Sequence, residues 1–435
     1  MSWSRSGVAS SVALVFALLL GSSAAHATES LEVFLEHAKN QSFDAREAQI
    51  TARQRDAEAD ASLGKLLPAF TARGTYTRNQ EEVAIQNPAA PGSDPIVITP
   101  LNQLDASFLL EVPILDLASY HRYRAAKVLS KSAEIQTQAT TLDVSRSVAR
   151  AYYQFLGASS TVSSAEESIK AAQANLQQVE DRHSAGAATD LDRERARAAV
   201  SRAEQDLADQ QLGVALAARS LETFSGMLPS SAGALPEDDL HAEGSLDRWL
   251  KLSSETPSQK VARQLEEAAT ENRKAAKRAY LPTLNGSAEE RISNATGFGG
   301  RNTNYTLKLN LVWRLDYGLV GNDHAQSAAL DLQKVRAERT RRSGEDAVFE
   351  AFKRVEASIA KSRAARDQER SAKRAAELAS DRYGAGVATQ LDVTEAQRDA
   401  FSASAARIQA DSDLAYYRAA LRIAAGVPVS DRRAP

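Results

Sequence analysis

The most sharply defined local chemistry in this sequence lies in two Thr-x-x-Asp pairs, Thr189 with Asp192 and Thr389 with Asp392. In such a pair the threonine hydroxyl accepts from the amide three residues on, and the acid reaches back to the threonine amide. Each pair therefore marks a helix start. Gly186 and Gly386 stand three residues ahead of the threonines, where a left-handed cap would end the preceding helix. Asp392 and Glu395 are spaced i, i+3 and share a helical face. Capping alone is enough to explain an acid in a first turn, so Asp192 and Asp392 carry both a structural and a functional reading. Other reactive patterns are missing. There is no HExxH and no phosphate-binding GxxxxGKS or GxxxxGKT loop, and no Ser/His/Asp set stands in a suitable context. His37, His121, His183, His241 and His324 are scattered without ligand spacing. The absence of cysteine excludes disulfides, thiolate metal sites, a cysteine nucleophile and a lipidated N-terminal cysteine. No cofactor, metal or enzymatic activity is expected.

The elements that hold these pairs follow from proline placement. None of the twelve prolines falls between Pro113 and Pro229, or between Pro282 and Pro428. A proline inside a helix costs roughly 3 kcal/mol, so these intervals are where long helices can form. From Ala118 to about His183 there is no proline and one glycine, Gly157, enough for roughly 100 Å of helix. Such a helix belongs to a coiled coil or a tunnel wall. The alanines along it and its copy (Ala149, Ala151, Ala165, Ala172, Ala351, Ala365, Ala372) either let helices approach closely or simply favour helix.

The two intervals repeat one another. Asp181-Arg182-His183-Ser184-Ala185-Gly186-Ala187-Ala188-Thr189-Asp190-Leu191-Asp192 recurs 200 residues later as Asp381-Arg382-Tyr383-Gly384-Ala385-Gly386-Val387-Ala388-Thr389-Gln390-Leu391-Asp392. The same shift pairs Asp116 with Asp316, Val148 with Val348, Tyr152 with Phe352, Ala196 with Ala396, Leu221 with Leu421 and Gly226 with Gly426. A gapless register over about a hundred positions is a duplication of one unit. The expected organisation is a signal peptide (1–27), a first repeat (28–226), a linker (227–250), a second repeat (251–426) and a short tail (427–435). Each unit reads helix, strand, loop, strand, very long helix, turn, helix. The apolar run Val12–Leu20 behind Arg5, followed by Ala25-His26-Ala27, has the form of a secretory signal, with the mature chain starting at Thr28.

Four segments alternate apolar and polar residues, around Phe70–Tyr76, Phe108–Ile114, Leu284–Ala288 and Tyr305–Trp313. This suits a barrel facing lipid outside and water inside, and equally a half-buried soluble sheet. With Asp116 and Asp316 aligned, the apolar faces of the strands before them fall one residue out of phase, which a bulge near Pro113 would absorb. Four strands cannot close a barrel, so spanning a membrane requires several chains to share one. Three chains would give twelve strands.

Tyr383-x-x-Gly386-x-x-Thr389-x-Leu391-Asp392-Val393-x-x-Ala396 resembles the hairpin motif of the TolC-type outer-membrane efflux protein family, and Gly186-x-x-Thr189-x-Leu191-Asp192-x-x-x-Ala196 is similar to it. The resemblance covers nearly all of the mature chain. It implies a mainly α protein with membrane β, in which duplicated helix-strand-strand-helix units form a shared trimeric 12-stranded β-barrel continuous with an α-helical coiled-coil tunnel. It further implies an outer-membrane homotrimer with a large periplasmic part, acting as the passive exit duct of a tripartite efflux or export system. Its partners would be outer-membrane lipid, a periplasmic adaptor (membrane fusion protein) and an inner-membrane pump. The hairpin turns, at Gly186, Thr189, Gly386 and Thr389, would dock the adaptor. Asp392 and Glu395, with Asp192, would form the periplasmic gate. The family's prototype also places an arginine just before the acid; Ala388 stands at the matching position, so the acidic ring carries over and that arginine link does not.

A formal net charge of −3 gives nucleic acid no basic surface. Two alternatives remain at this level: a periplasmic coiled-coil adaptor and a structural envelope protein. Two hairpins with paired amphipathic strands count against both.

Overall fold

The computed structural model describes residues 29–86, 92, 95–230, 233, 235–427 and 429. The expected signal peptide, its cleavage point before Thr28 and most of the tail lie outside the described residues.

Two helices, α1 (Leu31–Gln41) and α2 (Phe43–Gly64), precede strand β1 (Ala69–Arg78). Ser42 separates them, in extended backbone, and its hydroxyl accepts from the Ala45 amide to cap α2. A short antiparallel pair, β2 (Val83–Ile85) and β3 (Ile96–Thr99), follows, then β4 (Asn102–Leu115). This pair occupies what the sequence reads as a plain loop, because runs of three and four residues carry too little alternation to register. Helices α3 (Leu117–Ser184) and α4 (Asp190–Ser225) form the first hairpin. The second repeat gives α5 (Leu246–Ser253), α6 (Pro257–Arg278), β5 (Thr283–Ser293), β6 (Thr303–Val312), α7 (Tyr317–Gly384) and α8 (Gln390–Ala424). Both long helices have 68 residues, about 100 Å each. α5 starts inside the 227–250 segment, so that segment is not linker throughout: Trp249 of α5 is fully buried against Val348, Phe352 and Leu414.

The strands form one antiparallel sheet in the order β1-β4-β5-β6. Phe70 lies opposite Leu110, Tyr76 opposite Leu104, Leu110 opposite Ala288, and Ala288 opposite Leu307. Because side chains alternate across a strand, one face collects Phe70, Tyr76, Phe108, Leu110, Leu307, Leu309 and Leu311, all exposed in the protomer. The other face carries Thr71, Arg73, Ser107, Glu111, Ser287 and Asn310, with Arg291 bridging to Asp105 at 2.6 Å and Lys308 to Glu289 at 3.8 Å. Pairing shifts between Pro113 and Leu115, so Pro113 meets Asn285 while Leu115 meets Leu284. This bulge inserts one residue and reconciles the phase difference between repeats. β1 and β6 are open edges.

Helix packing repeats as well. Leu31 and Phe34 of α1 pack on Val148, Tyr152 and Leu156 of α3, and Leu246 and Trp249 of α5 take the matching places on Val348 and Phe352 of α7. Ala149, Ala151, Ala165 and Ala172 are buried along α3, so small side chains there do bring helices together. A Cβ on Gly157 would stand 3.0 Å from the Ser412 hydroxyl, which marks the close crossing of α3 over α8.

Candidate functional site

The site is the end of the two hairpins remote from the sheet. α3 ends in a Schellman motif, with Gly186 N donating to His183 O at 2.9 Å and Ala187 N to Arg182 O at 2.7 Å. Gly186 has φ +74°, open to glycine at no cost. α7 ends identically: Gly386 N to Tyr383 O at 3.0 Å, Val387 N to Arg382 O at 2.9 Å, and φ +77° at Gly386. Next come two complete capping boxes. Thr189 Oγ1 accepts from Asp192 N at 3.2 Å, and Asp192 Oδ2 accepts from Thr189 N at 3.1 Å. Asp392 N donates to Thr389 Oγ1 at 3.2 Å, and Thr389 N to Asp392 Oδ2 at 2.8 Å. The chain thus reverses at each tip through two unrelated devices set side by side, and both are written in the repeat.

These bonds fix the electrostatics of the acids. The Thr389 amide and hydroxyl hold the Asp392 carboxyl below the usual carboxylate range, and nearby Arg382 adds to this. The Thr189 hydroxyl and amide do the same for Asp192. Cap donors therefore govern the charge of Asp392 within a protomer. Glu395 is exposed one turn on; with Arg195, Arg202, Asp206, Leu391 and Phe401 it lines a groove of about 280 Å³ between α4 and α8. Asp192 and Asp392 each serve their own hairpin.

Tyr383 is 5% exposed and packs with Val179, Ala196 and Val393. Its repeat partner His183 lies beside Asp190, with Nε2 3.1 Å from Oδ1. Leu191 (57% exposed), Val387 (64%) and Leu391 (43%) present an apolar surface beside the turns.

Sequence reasoning missed the buried ionic groups. Asp411, 3% exposed, accepts from Ser362 and from Arg366 at 3.1 Å, and pairs with Arg407 at 3.2 Å. Arg418, also buried, grips Asp238 at 2.7 and 3.0 Å and Glu243 at 2.5 Å, fastening the 235–245 segment to α8. Asp238, Asp239 and His241 lie close enough to suggest a metal site. Their atoms are instead engaged by Arg418 and by one another (His241 Nδ1 to Asp239 Oδ1, 2.5 Å), which makes them a structural network. No spacing in the sequence foretells contacts across 175 residues or more.

A family model described as outer membrane efflux protein matches residues 34–227 and 251–427. The chain belongs to the outer membrane efflux protein family. Among relatives, the pyoverdine export outer membrane protein OpmQ of Pseudomonas putida is 27% identical over 396 residues, covering 87% of this chain and 82% of that one. The CmeC outer membrane channel of Campylobacter jejuni superposes with a TM-score of 0.77 at 19% identity, covering 93% of this chain and 87% of that chain. VceC of Vibrio cholerae superposes with a TM-score of 0.74 at 19% identity, over 93% and 97%. These two likenesses establish the efflux-protein fold.

Within this fold the turns are testable. Replacing Gly186 or Gly386 with Val forces a β-branched residue into left-handed backbone. Each variant is expected to insert in the membrane like wild type, because the strain stays local: a Cβ at 186 meets nothing within 4 Å, and one at 386 meets only Arg182 Nη2, at 3.8 Å. If the turns dock a periplasmic adaptor, as the sequence resemblance implies, adaptor co-purification and export should fall; unchanged export in both variants would rule that role out.

Proposed function

We propose that this family member is one third of an outer-membrane exit duct, a homotrimer in which three four-stranded sheets close a twelve-stranded barrel and six hairpins form a periplasmic tunnel. The observation that carries this is the sheet: one face apolar and exposed, the other polar, and both edges unpaired. Unpaired edges and exposed leucines are costly for a soluble monomer, and unpaired edges are not tolerated in lipid. Closing β6 of one chain on β1 of the next removes them. Tyr76 and Tyr305 toward the far end, and Trp313 and Tyr317 beside the helices, are 60–87% exposed and stand where aromatic girdles flank a lipid-facing band.

No described helix is long and apolar enough to cross a membrane, and the sequence has no nucleotide-binding loop. The driving force comes from an inner-membrane pump, coupled through a periplasmic adaptor at the hairpin tips. OpmQ's naming as a pyoverdine exporter makes an exported small metabolite the first cargo class to test here.

The expected result is that the mature chain fractionates with the outer membrane and that its detergent complex has three times the protomer mass. A stable bilayer-spanning monomer would overturn the shared barrel. Deleting the chain should leave the cargo in the periplasm, as measured by fractionation.

A further inference from the structure

Two residues along a helix, the chain has turned by roughly 200°. Tyr152 of α3 lies in the cluster that holds α1, and Phe352 of α7 in the cluster that holds Trp249 of α5. On α8, Arg418 is pinned by Asp238 and Glu243 of the 235–245 segment. Arg150, Arg354 and Tyr416 each stand two residues from one of these, so all three point to the opposite, uncovered face. There they meet in a cavity of about 370 Å³ lined by α3, α8 and α7, with α8 in the middle. That volume is in the range of small-molecule pockets. Arg150 lies over the Tyr416 ring, 5.9 Å from its centroid, and Arg354 over the Tyr417 ring at 5.6 Å. Both tyrosines are half-buried, so the rings are held in place while part of each stays accessible.

Most charges around this cavity are already engaged. Glu350 binds Arg354 at 2.6 and 2.9 Å, and Asp143 binds Arg146 at 2.9 Å. Asp413 Oδ1 accepts from Gln409 at 2.9 Å, while Oδ2 receives no donor among the described residues. Arg150 has no carboxylate within salt-bridge reach among those residues. The cavity therefore offers one unpaired guanidinium, one free carboxylate oxygen and two tyrosine rings. The duplication does not require this set. At a shift of 200 residues, Leu216 takes the place of Tyr416, Ala217 that of Tyr417 and Glu350 that of Arg150. The packing common to both repeats thus needs neither the rings nor the cation. A guanidinium beside an aromatic face matches a planar acidic group attached to a ring, through paired hydrogen bonds and ring contact.

We propose that this cavity binds small aromatic anions, with Arg150 holding the acidic group, Tyr416 meeting the ring and Asp413 accepting from a hydroxyl or amine. Its place in the bore rests on the trimer reading above: helices that carry α1, α5 and the 235–245 segment on their outer face turn the other face inward. The trimer then has three such sites along the path of the cargo.

The test is calorimetric titration of the full-length detergent-purified protein with salicylate, with benzylamine and acetate as controls for charge sign and for charge without a ring. Salicylate is expected to saturate at one site per protomer, and neither control to saturate. Arg150→Ala should weaken salicylate about tenfold, the effect of losing a charge-assisted pair, and Tyr416→Ala by several-fold. Arg150→Lys, which keeps charge but loses the planar fork, should fall between. Arg150 is exposed, so helical circular dichroism should be unchanged in its variants; if Tyr416→Ala fails to fold, Arg150→Ala decides. In planar bilayers salicylate should reduce the wild-type current and leave Arg150→Ala unaffected. No saturable salicylate binding, or equal affinity in folded Arg150→Ala, overturns the site, and equal binding of benzylamine overturns the anion assignment. Binding without any reduction of current removes the site from the bore. Binding by a protein that forms no pores would sink the duct reading and leave the site standing; pores without binding would do the reverse.

Discussion

Replacing Leu212 and Leu216 together with aspartate is expected to abolish the trimer while leaving the protomer folded. The reasoning comes from the duplication. Inside one protomer α3 packs against α8, burying Ser412 to 3% exposure and partly covering Tyr416. The matching residues of α4 are Leu212 and Leu216, and they are 58% and 63% exposed. The side that should cover them is also bare: Phe349 and Ala357 of α7 correspond to Ala149 and Gly157 of α3, which are buried, yet both are exposed. The protomer has half of a repeating interface satisfied and half open. If α7 of one subunit covers α4 of the next as α3 covers α8, the leucines become buried. A fully buried leucine contributes about 1.5–3 kcal/mol, and a carboxylate in its place adds a desolvation penalty, six times over in a trimer. Native mass in detergent should drop to the protomer, with helical circular dichroism retained because both sites are solvated in the single chain. A variant that still runs as a trimer would mean that α4 faces solvent in the assembly.

That symmetry is legible in the sequence, because proline spacing, the 200-residue register and the alternation of Phe70–Tyr76 or Tyr305–Trp313 are local patterns that backbone physics imposes directly. The turn chemistry is equally plain: Gly186, Thr189 and Asp192 occupy positions that only a Schellman cap followed by a capping box demands. Even the phase slip between repeats points to the bulge before Leu115. The contents of the interfaces are not legible. Arg182 reads as one more basic residue on a solvated helix, and its duplication as Arg382 does not reveal that its Nη1 donates to Tyr383 O at 2.8 Å and Gly384 O at 3.0 Å in the other hairpin. Asp411 and Arg418 sit among many charges on α8, and their burial depends on how α7 and the 235–245 segment fold over them. Such contacts are set by tertiary packing between distant segments, for which one sequence carries no periodic signal.

The same limit applies to the proposed periplasmic gate, where the acids are visible in the sequence but their role depends on the assembly. If Asp392 and Glu395 form that gate, the channel should prefer cations and be blocked by divalent ions, and Asp392→Asn combined with Glu395→Gln should remove most of both effects. Threefold symmetry would gather six carboxylates near one axis, where field focusing attracts cations. Asp392 also serves the cap, so the two roles must be separated. Asparagine caps nearly as well as aspartate but carries no charge; thermal stability should therefore hold while selectivity falls. Asp392→Ala should lose both. The pH dependence follows from the cap. A carboxyl held below its usual value of about 3.9 stabilises the fold above that value, and loses this contribution as pH falls through the lower folded-state value. Asp392 is therefore ionised at pH 5, and selectivity carried by it should persist there. Single-channel reversal potentials under a salt gradient at pH 7 and pH 5 give the answer. If the Asn/Gln variant matches wild type in reversal potential and divalent block, Asp392 is a helix cap and the constriction is built elsewhere.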